Sequence, residues 1–129
     1  MVMNQLPAIV HFDIGSDNIE RASKFYNGLF GWKAEKMPGP MEYRMFTTTT
    51  NDKGEPVAGG GIMPRQQPDQ TITIYIGVDS VTEYAKKVER LGGKVKVPKT
   101  EVPDFGWYAV CADTENNTFA LWEAKNSRH

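Results

Sequence analysis

Phe25-Tyr26-Asn27-Gly28-Leu29-Phe30-Gly31-Trp32 is the stretch that decides how this chain is read. With Ile19 and Ala22 upstream, Phe25, Tyr26 and Leu29 recur at helical spacing. Gly31 stops the helix, because glycine accepts the left-handed backbone of a C-cap. At the other end Asp17 or Asn18 supplies an N-cap, followed by Glu20 and Arg21 in the first turns. Before the helix lies Ile9-Val10-His11-Phe12-Asp13-Ile14, which alternates with period two. That pattern predicts a half-buried strand with Val10, Phe12 and Ile14 on one face and Ile9, His11 and Asp13 on the other. After the helix come strands over Trp32–Met37, Glu42–Thr49 and Val57–Met63. They are separated by the turn Pro38-Gly39-Pro40 and the hairpin Asn51-Asp52-Lys53-Gly54.

The same order then recurs. Thr71–Val78 alternates as a strand, Asp79-Ser80 caps a helix carrying Val81, Tyr84, Ala85, Val88 and Leu91, and Gly92-Gly93 ends it. Lys94–Val97 is a short strand closed by Pro98, and Trp107–Ala112 and Thr118–Ala124 are the last two. A constant shift of 62 residues carries Ile14, Gly15 and Asp17 onto Ile76, Gly77 and Asp79, and Leu29 and Gly31 onto Leu91 and Gly93. It also carries Tyr43 onto Phe105, Phe46 onto Tyr108 and Ala58 onto Ala120. A repeat at this period predicts two copies of one βαβββ unit, over residues 5–64 and 70–126 of a single domain spanning 1–129. Pro64–Gln70 is the joint, and the tail Asn126–His129 is expected to fray.

Composition narrows the function. Fifteen Lys and Arg stand against 16 Asp and Glu, a formal charge of −1, which gives no electrostatic reason to expect a nucleic acid or an anionic membrane as partner. No apolar run approaches the ~20 residues of a transmembrane helix. Met1–Gln5 lacks the basic start of a secretory signal, so the expected location is cytoplasmic. One cysteine, Cys111, excludes an internal disulfide and any multi-cysteine zinc site; it reads as a small buried hydrophobe.

A paired βαβββ unit with these phrases resembles the vicinal oxygen chelate superfamily, which holds glyoxalase I, extradiol dioxygenases, methylmalonyl-CoA epimerase and the bleomycin and fosfomycin resistance proteins. The resemblance is carried by His11-Phe12-Asp13-Ile14, Phe25-Tyr26 through Trp32, Ile76-Gly77-Val78-Asp79-Ser80-Val81, Leu91-Gly92-Gly93 and Asp113 through Glu123. Glyoxalase-like proteins named predicted lactoylglutathione lyases are the branch it is most similar to. The resemblance implies an α+β fold, with curved mixed sheets forming a half-barrel cavity and helices outside. It also implies one divalent ion held by one side chain from each of four strands. Those positions fall on His11, Thr73, Ala120 and a residue between Ala58 and Gly60. Glu123 has the opposite strand phase to Ala120, so it is expected to point away from the cavity or to sit at its rim. Only His11 is a competent ligand, whereas a catalytic divalent ion usually has about three protein ligands. The ligand count therefore argues against a metal cofactor; if a metal binds, His11 is its ligand.

Three readings follow. The first is a lyase or isomerase related to lactoylglutathione lyase with a degenerate metal site. The second is a non-enzymatic binding protein that sequesters a small molecule, using aromatic residues drawn from Tyr43, Phe46, Tyr75, Trp107, Tyr108 and Trp122. The third is a metal-free enzyme in which His11 and Asp13 are the catalytic acid–base pair, since imidazole titrates near neutral pH. In all three the expected ligand-binding residues are Thr73, Tyr75, Trp107, Ala120 and Trp122. Strand phase places Ile9, His11, Asp13, Thr73, Tyr75, Ala120 and Trp122 on the cavity wall. It places Val10, Phe12, Ile74, Ile76, Phe119 and Leu121 beneath the helices. The glycine run Gly59-Gly60-Gly61 predicts close approach of a ligand or of a partner's backbone. Open sheet edges predict a homodimer.

Overall fold

The computed structural model describes residues 6–39 and 42–125. The expectations for Met1–Gln5, for Pro40 in the first turn and for the tail Asn126–His129 lie outside the described residues. Contacts divide the chain into two compact units, one of residues 11–73 and one of residues 74 onward together with the start of the chain through Val10. Each unit carries four strands and one helix.

The first unit runs β1 (Ala8–Ser16), α1 (Ile19–Phe30), β2 (Lys33–Lys36), β3 (Arg44–Thr50) and β4 (Pro56–Pro64), with strand order β2-β3-β4-β1. The three later strands pair antiparallel, and β1 joins β4 in parallel with Asp13 opposite Gly61 and Ile14 opposite Ile62. Asn18 is the N-cap of α1, its side-chain oxygen accepting the Arg21 N–H at 2.9 Å. Gly31 closes the helix at φ 78° and donates to Asn27 O. Under α1, Phe46 and Ile62 are fully buried against Ile19, with Ile14, Ala22, Tyr26, Trp32 and Ala34 around them. Tyr26 stacks on Trp32 at 5.8 Å and meets Phe46 edge-on at 5.7 Å.

The second unit repeats this with β5 (Ile72–Gly77), α2 (Val81–Arg90), β6 (Lys94–Val102), β7 (Gly106–Ala112) and β8 (Thr118–Ala124), in the order β5-β8-β7-β6. Ser80 caps α2 through the Glu83 N–H, and Val81, Ala109, Cys111, Val78 and Leu121 form the buried cluster against that helix. The α+β class and the βαβββ order are thus as the sequence predicts. Among the described residues no helix is long and apolar enough to cross a membrane.

Four expectations are corrected. The strand predicted to stop at Val97 continues to Val102. Pro98 is tolerated because β6 is the last strand of its sheet and its register shifts between Val97 and Thr100. The constant shift fails in the late strands. Asp13 pairs with Gly61 as Tyr75 pairs with Ala120, so the counterpart of Ala120 is Gly61, outside the expected window of Ala58 to Gly60. Phe46 likewise is not the counterpart of Tyr108, because Phe46 packs under α1 whereas Tyr108 pairs with Trp122. Finally, Val10 and Ile74 are not beneath helices. Val10 is 55% exposed with its methyls against Gly77, and Ile74 is 36% exposed.

Candidate functional site

Alternation along β1 turns Phe12 and Ile14 to one side of the sheet and His11 and Asp13 to the other. Ile14 joins the α1 cluster, so His11 and Asp13 face away from the helix. Gly61, opposite Asp13 on β4, is on the same face. Tyr43 comes in from just before β3 and lies across Gly61. A Cβ built on Gly61 would stand 2.1 Å from the Tyr43 hydroxyl oxygen, so only glycine admits that ring. On the opposite face Gly60 admits the Phe12 ring, whose nearest carbons would be 2.6 Å from an added Cβ, and Gly59 admits Thr48. The glycine run therefore does not wait for a partner's backbone, as its composition suggests. Side chains of the same chain fill it.

The result is a closed polar triangle. Tyr43 Oη donates to Asp13 Oδ1 at 2.6 Å, and His11 Nε2 lies 3.0 Å from that same Oδ1 and 2.8 Å from Tyr43 Oη. A phenol has one hydrogen, and here it goes to the carboxylate. The Tyr43 oxygen can then only accept, which makes His11 Nε2 the donor within the triangle. Asp13 is only 5% exposed, while the His11 side chain keeps 25% of its surface accessible. A buried carboxylate that receives charge-assisted hydrogen bonds holds its donors in place. The imidazole is therefore oriented by two partners and still reachable. Two grooves of about 450 and 430 Å³ open around the N-terminal end of α1, but neither is lined by His11, Asp13 or Tyr43. The hydrogen-bonded chemistry, not the concavity, picks out this site.

In the second unit Tyr75 and Ala120 are register partners on β5 and β8, and Trp122 follows two residues along the same face. The Trp122 ring covers Gly106, where an added Cβ would lie 2.9 Å from Cζ2. Ala120 is fully buried, and Thr73 is buried at 7% exposure in the first unit. Trp107 is the misplaced member of the expected set. It shares the phase of Ala109 and Cys111, packs with the α2 cluster, and is overlaid by the Lys99 and Lys125 ammonium groups at 5.1 and 5.3 Å. Glu123 also turns to that side, as its phase predicts, and its Oε1 accepts the Val81 N–H at 2.9 Å at the start of α2.

The donor set fits a divalent ion poorly. Ala120 offers a methyl group, Thr73 a hydroxyl, and Gly61 nothing. His11 Nε2 already serves Asp13 and Tyr43. Among the described residues no three His, Cys, Asp or Glu side chains converge. Tyr43 is the site residue that the sequence leaves unassigned, naming it only as one of several aromatics. Its signal was the missing side chain at Gly61, which is legible only once β3 and β4 are in register.

Comparison with known proteins agrees with the architecture. Anthracycline biosynthesis protein DnrV of Streptomyces peucetius is 32% identical over 130 residues, covering 86% of this chain and 45% of that protein. The chain thus spans about half the length of that relative. A glyoxylase-like domain-containing protein of Didymella fabae is 29% identical over 115 residues, covering 84% of this chain and 88% of that protein. Among solved structures, a single-site variant of Streptomyces coelicolor methylmalonyl-CoA epimerase in complex with 2-nitronate-propionyl-CoA superposes with a TM-score of 0.68 at 12% identity, over 97% of this chain and 99% of that one. That likeness speaks for the fold alone. A family model matches residues 8–121, and with it the two βαβββ units acquire their name: the chain belongs to the Glyoxalase/Bleomycin resistance protein/Dioxygenase superfamily.

Proposed function

We propose that this chain handles a small oxygenated molecule at the His11–Asp13–Tyr43 triangle and needs no resident divalent ion to do so. The observation that carries this reading is the triangle itself: three polar side chains within 2.6–3.0 Å of one another, at the strand position where the family resemblance implies a metal ligand. His11 contributes a ring whose Nε2–H is anchored, so ligand hydroxyl or carbonyl groups meet an imidazole of fixed orientation. Asp13 stabilises the imidazolium that forms if His11 takes a proton. Tyr43 fixes the distance between them. In the second unit Tyr75 and Trp122 offer aromatic surface of the kind a planar ligand stacks on. The anthracycline biosynthesis relative supports a polycyclic, oxygen-rich ligand class.

A second reading has a specific observation behind it. A histidine oriented by a carboxylate and a phenol is arranged for general acid–base work, which would make the chain a metal-free lyase or isomerase. Both readings are tested together. Binding of a fluorescent hydroxyanthraquinone is titrated against the native chain, Tyr43→Phe, His11→Asn and Gly61→Ala. Binding in the micromolar range is expected, weakened about tenfold by each variant, or ~1.4 kcal/mol. Gly61→Ala acts only by displacing the Tyr43 ring. Native protein is also assayed with the glutathione–methylglyoxal hemithioacetal, with and without added zinc or nickel. No turnover is expected in either case. Metal-dependent turnover would overturn the metal-free reading, and unchanged binding by all three variants would remove the triangle from function.

A further inference from the structure

The sheet of the second unit has a face turned away from α2, aromatic at one end and basic at the other. Register sets its members in rows across the strands. Tyr108 pairs with Trp122, Val110 with Ala120, and Ala112 with Thr118 and Lys94. Strand phase puts them on the side opposite to Trp107, Ala109 and Cys111, which pack toward α2. Ala112 and Ala120 are buried, so the reachable surface of this face belongs to their larger neighbours. Tyr108, Val110 and Trp122 are half-buried and supply flat and branched apolar surface. Thr118 lies four residues before Trp122 on β8, about 13 Å along the strand.

A β-bulge completes the basic end. Val95 pairs with Cys111, and Val97 with the adjacent Val110, so Lys96 is the extra residue of β6. Bulges at sheet edges re-aim side chains. Here the Lys96 ammonium donates to Thr118 Oγ1 at 2.9 Å. That oxygen accepts and keeps its own hydrogen to donate, and two of the three ammonium hydrogens remain for a ligand. None of the ion pairs among the described residues uses Lys94 or Lys96. The carboxylate next to Ala112 in sequence, that of Asp113, accepts the Glu115 and Asn117 N–H groups of its own turn. Lys99 goes to the other face, where it meets Glu123 at 3.9 Å. Two ammonium groups without a carboxylate, at the end of an aromatic face, are complementary to an anion.

We propose that Lys96 and Thr118 bind the acid group of a planar aromatic ligand whose rings lie over Val110 and against Tyr108 and Trp122. This rests on the ligand-binding reading above and narrows it. The ligand is a carboxylate, with its charge at the opposite end of the ring system from the two aromatic side chains. A tricyclic aromatic acid has that length.

Fluorescence titration with two matched dihydroxyanthraquinones tests it, one bearing a carboxylate and the other a hydroxymethyl group on the same ring carbon. The native chain is expected to bind the carboxylate about tenfold tighter at low salt, and less so at high salt. Lys96→Met should erase that preference by weakening the carboxylate alone, with unchanged circular dichroism because the position is exposed. Lys96→Arg should keep most of the preference, and Thr118→Val should reduce it. Lys99→Met should leave it unchanged, because that ammonium lies on the other face. The two readings fail separately. Equal binding of both compounds by the native chain overturns the acid site, while the triangle stands if His11→Asn weakens both. A Lys96-dependent preference untouched by Tyr43→Phe and His11→Asn keeps the acid site and removes the triangle. A preference that survives Lys96→Met, or no binding of either compound, overturns the proposal.

Discussion

Asp113 opens the turn between β7 and β8, and its carboxylate accepts the N–H groups of Glu115 at 2.8 Å and Asn117 at 2.9 Å and the Asn117 amide at 3.2 Å. The Asn117 backbone hydrogen bond is the largest of the influences that hold its pKa below the usual 3.8. A depressed folded-state pKa means the native state favours the charged form. The stabilisation is complete above the unfolded-state value and is lost as pH falls through the folded-state value. Asp113→Asn keeps an oxygen acceptor but no charge. Urea unfolding should therefore find it less stable than native near neutral pH, with the difference shrinking toward zero at pH well below 3.8. A difference that grows on acidification would contradict the turn geometry. At this scale the sequence was partly legible. His11 and Asp13 stood out because polar residues rarely alternate into an apolar strand. Tyr43 did not, because its importance depends on a glycine in another strand.

The helices were legible nearly to the residue, since each bears its own stop signals. Gly31 is the cap that the sequence placed there, and of the alternatives Asp17 or Asn18, and of the pair Asp79-Ser80, the caps are Asn18 and Ser80. The α2 N-terminus has a second acceptor that no local pattern announces, Glu123 from β8. Ser80→Ala should cost about 1 kcal/mol by the usual worth of such a cap. Glu123→Gln, which retains the side-chain oxygen, should cost less than Glu123→Ala; chemical denaturation of the three variants checks the order. Equal losses for Gln and Ala would mean that the charge, not the hydrogen bond, is what α2 uses. Trp107 shows why strands are harder. A tryptophan's composition suggests ligand stacking, but its phase with Ala109 and Cys111 decides that it packs toward α2. The length of β6 was missed for a similar reason, since whether a proline ends a strand depends on having a neighbour on that side.

For the molecule as a whole, Cys111 is an internal reporter. It is fully buried, and burial first, with the Glu89 charge second, pushes its thiol above the usual 9.0. Thiolate is scarce at neutral pH and the sulfur is sealed beneath α2. A thiol reagent should therefore modify the native chain slowly and the denatured chain fast, with the native rate set by opening of that unit. Similar rates in both states would mean the α2 cluster is not closed. The repeat was legible at this scale because helix stops and strand ends recur, and it failed in the late strands because Gly61 stands five residues from the Thr50–Pro56 end of its hairpin whereas Ala120 stands two from the Ala112–Thr118 end. The exposed rim at β6 has one more consequence. Lys94, Lys96 and Lys99 line it, and Pro98 removes a donor in its middle. A strand so interrupted is a poor template for foreign backbone. The long continuation that surprised the sequence reading thus doubles as protection against fibril growth, guarding crowded or partly opened molecules from seeding one another.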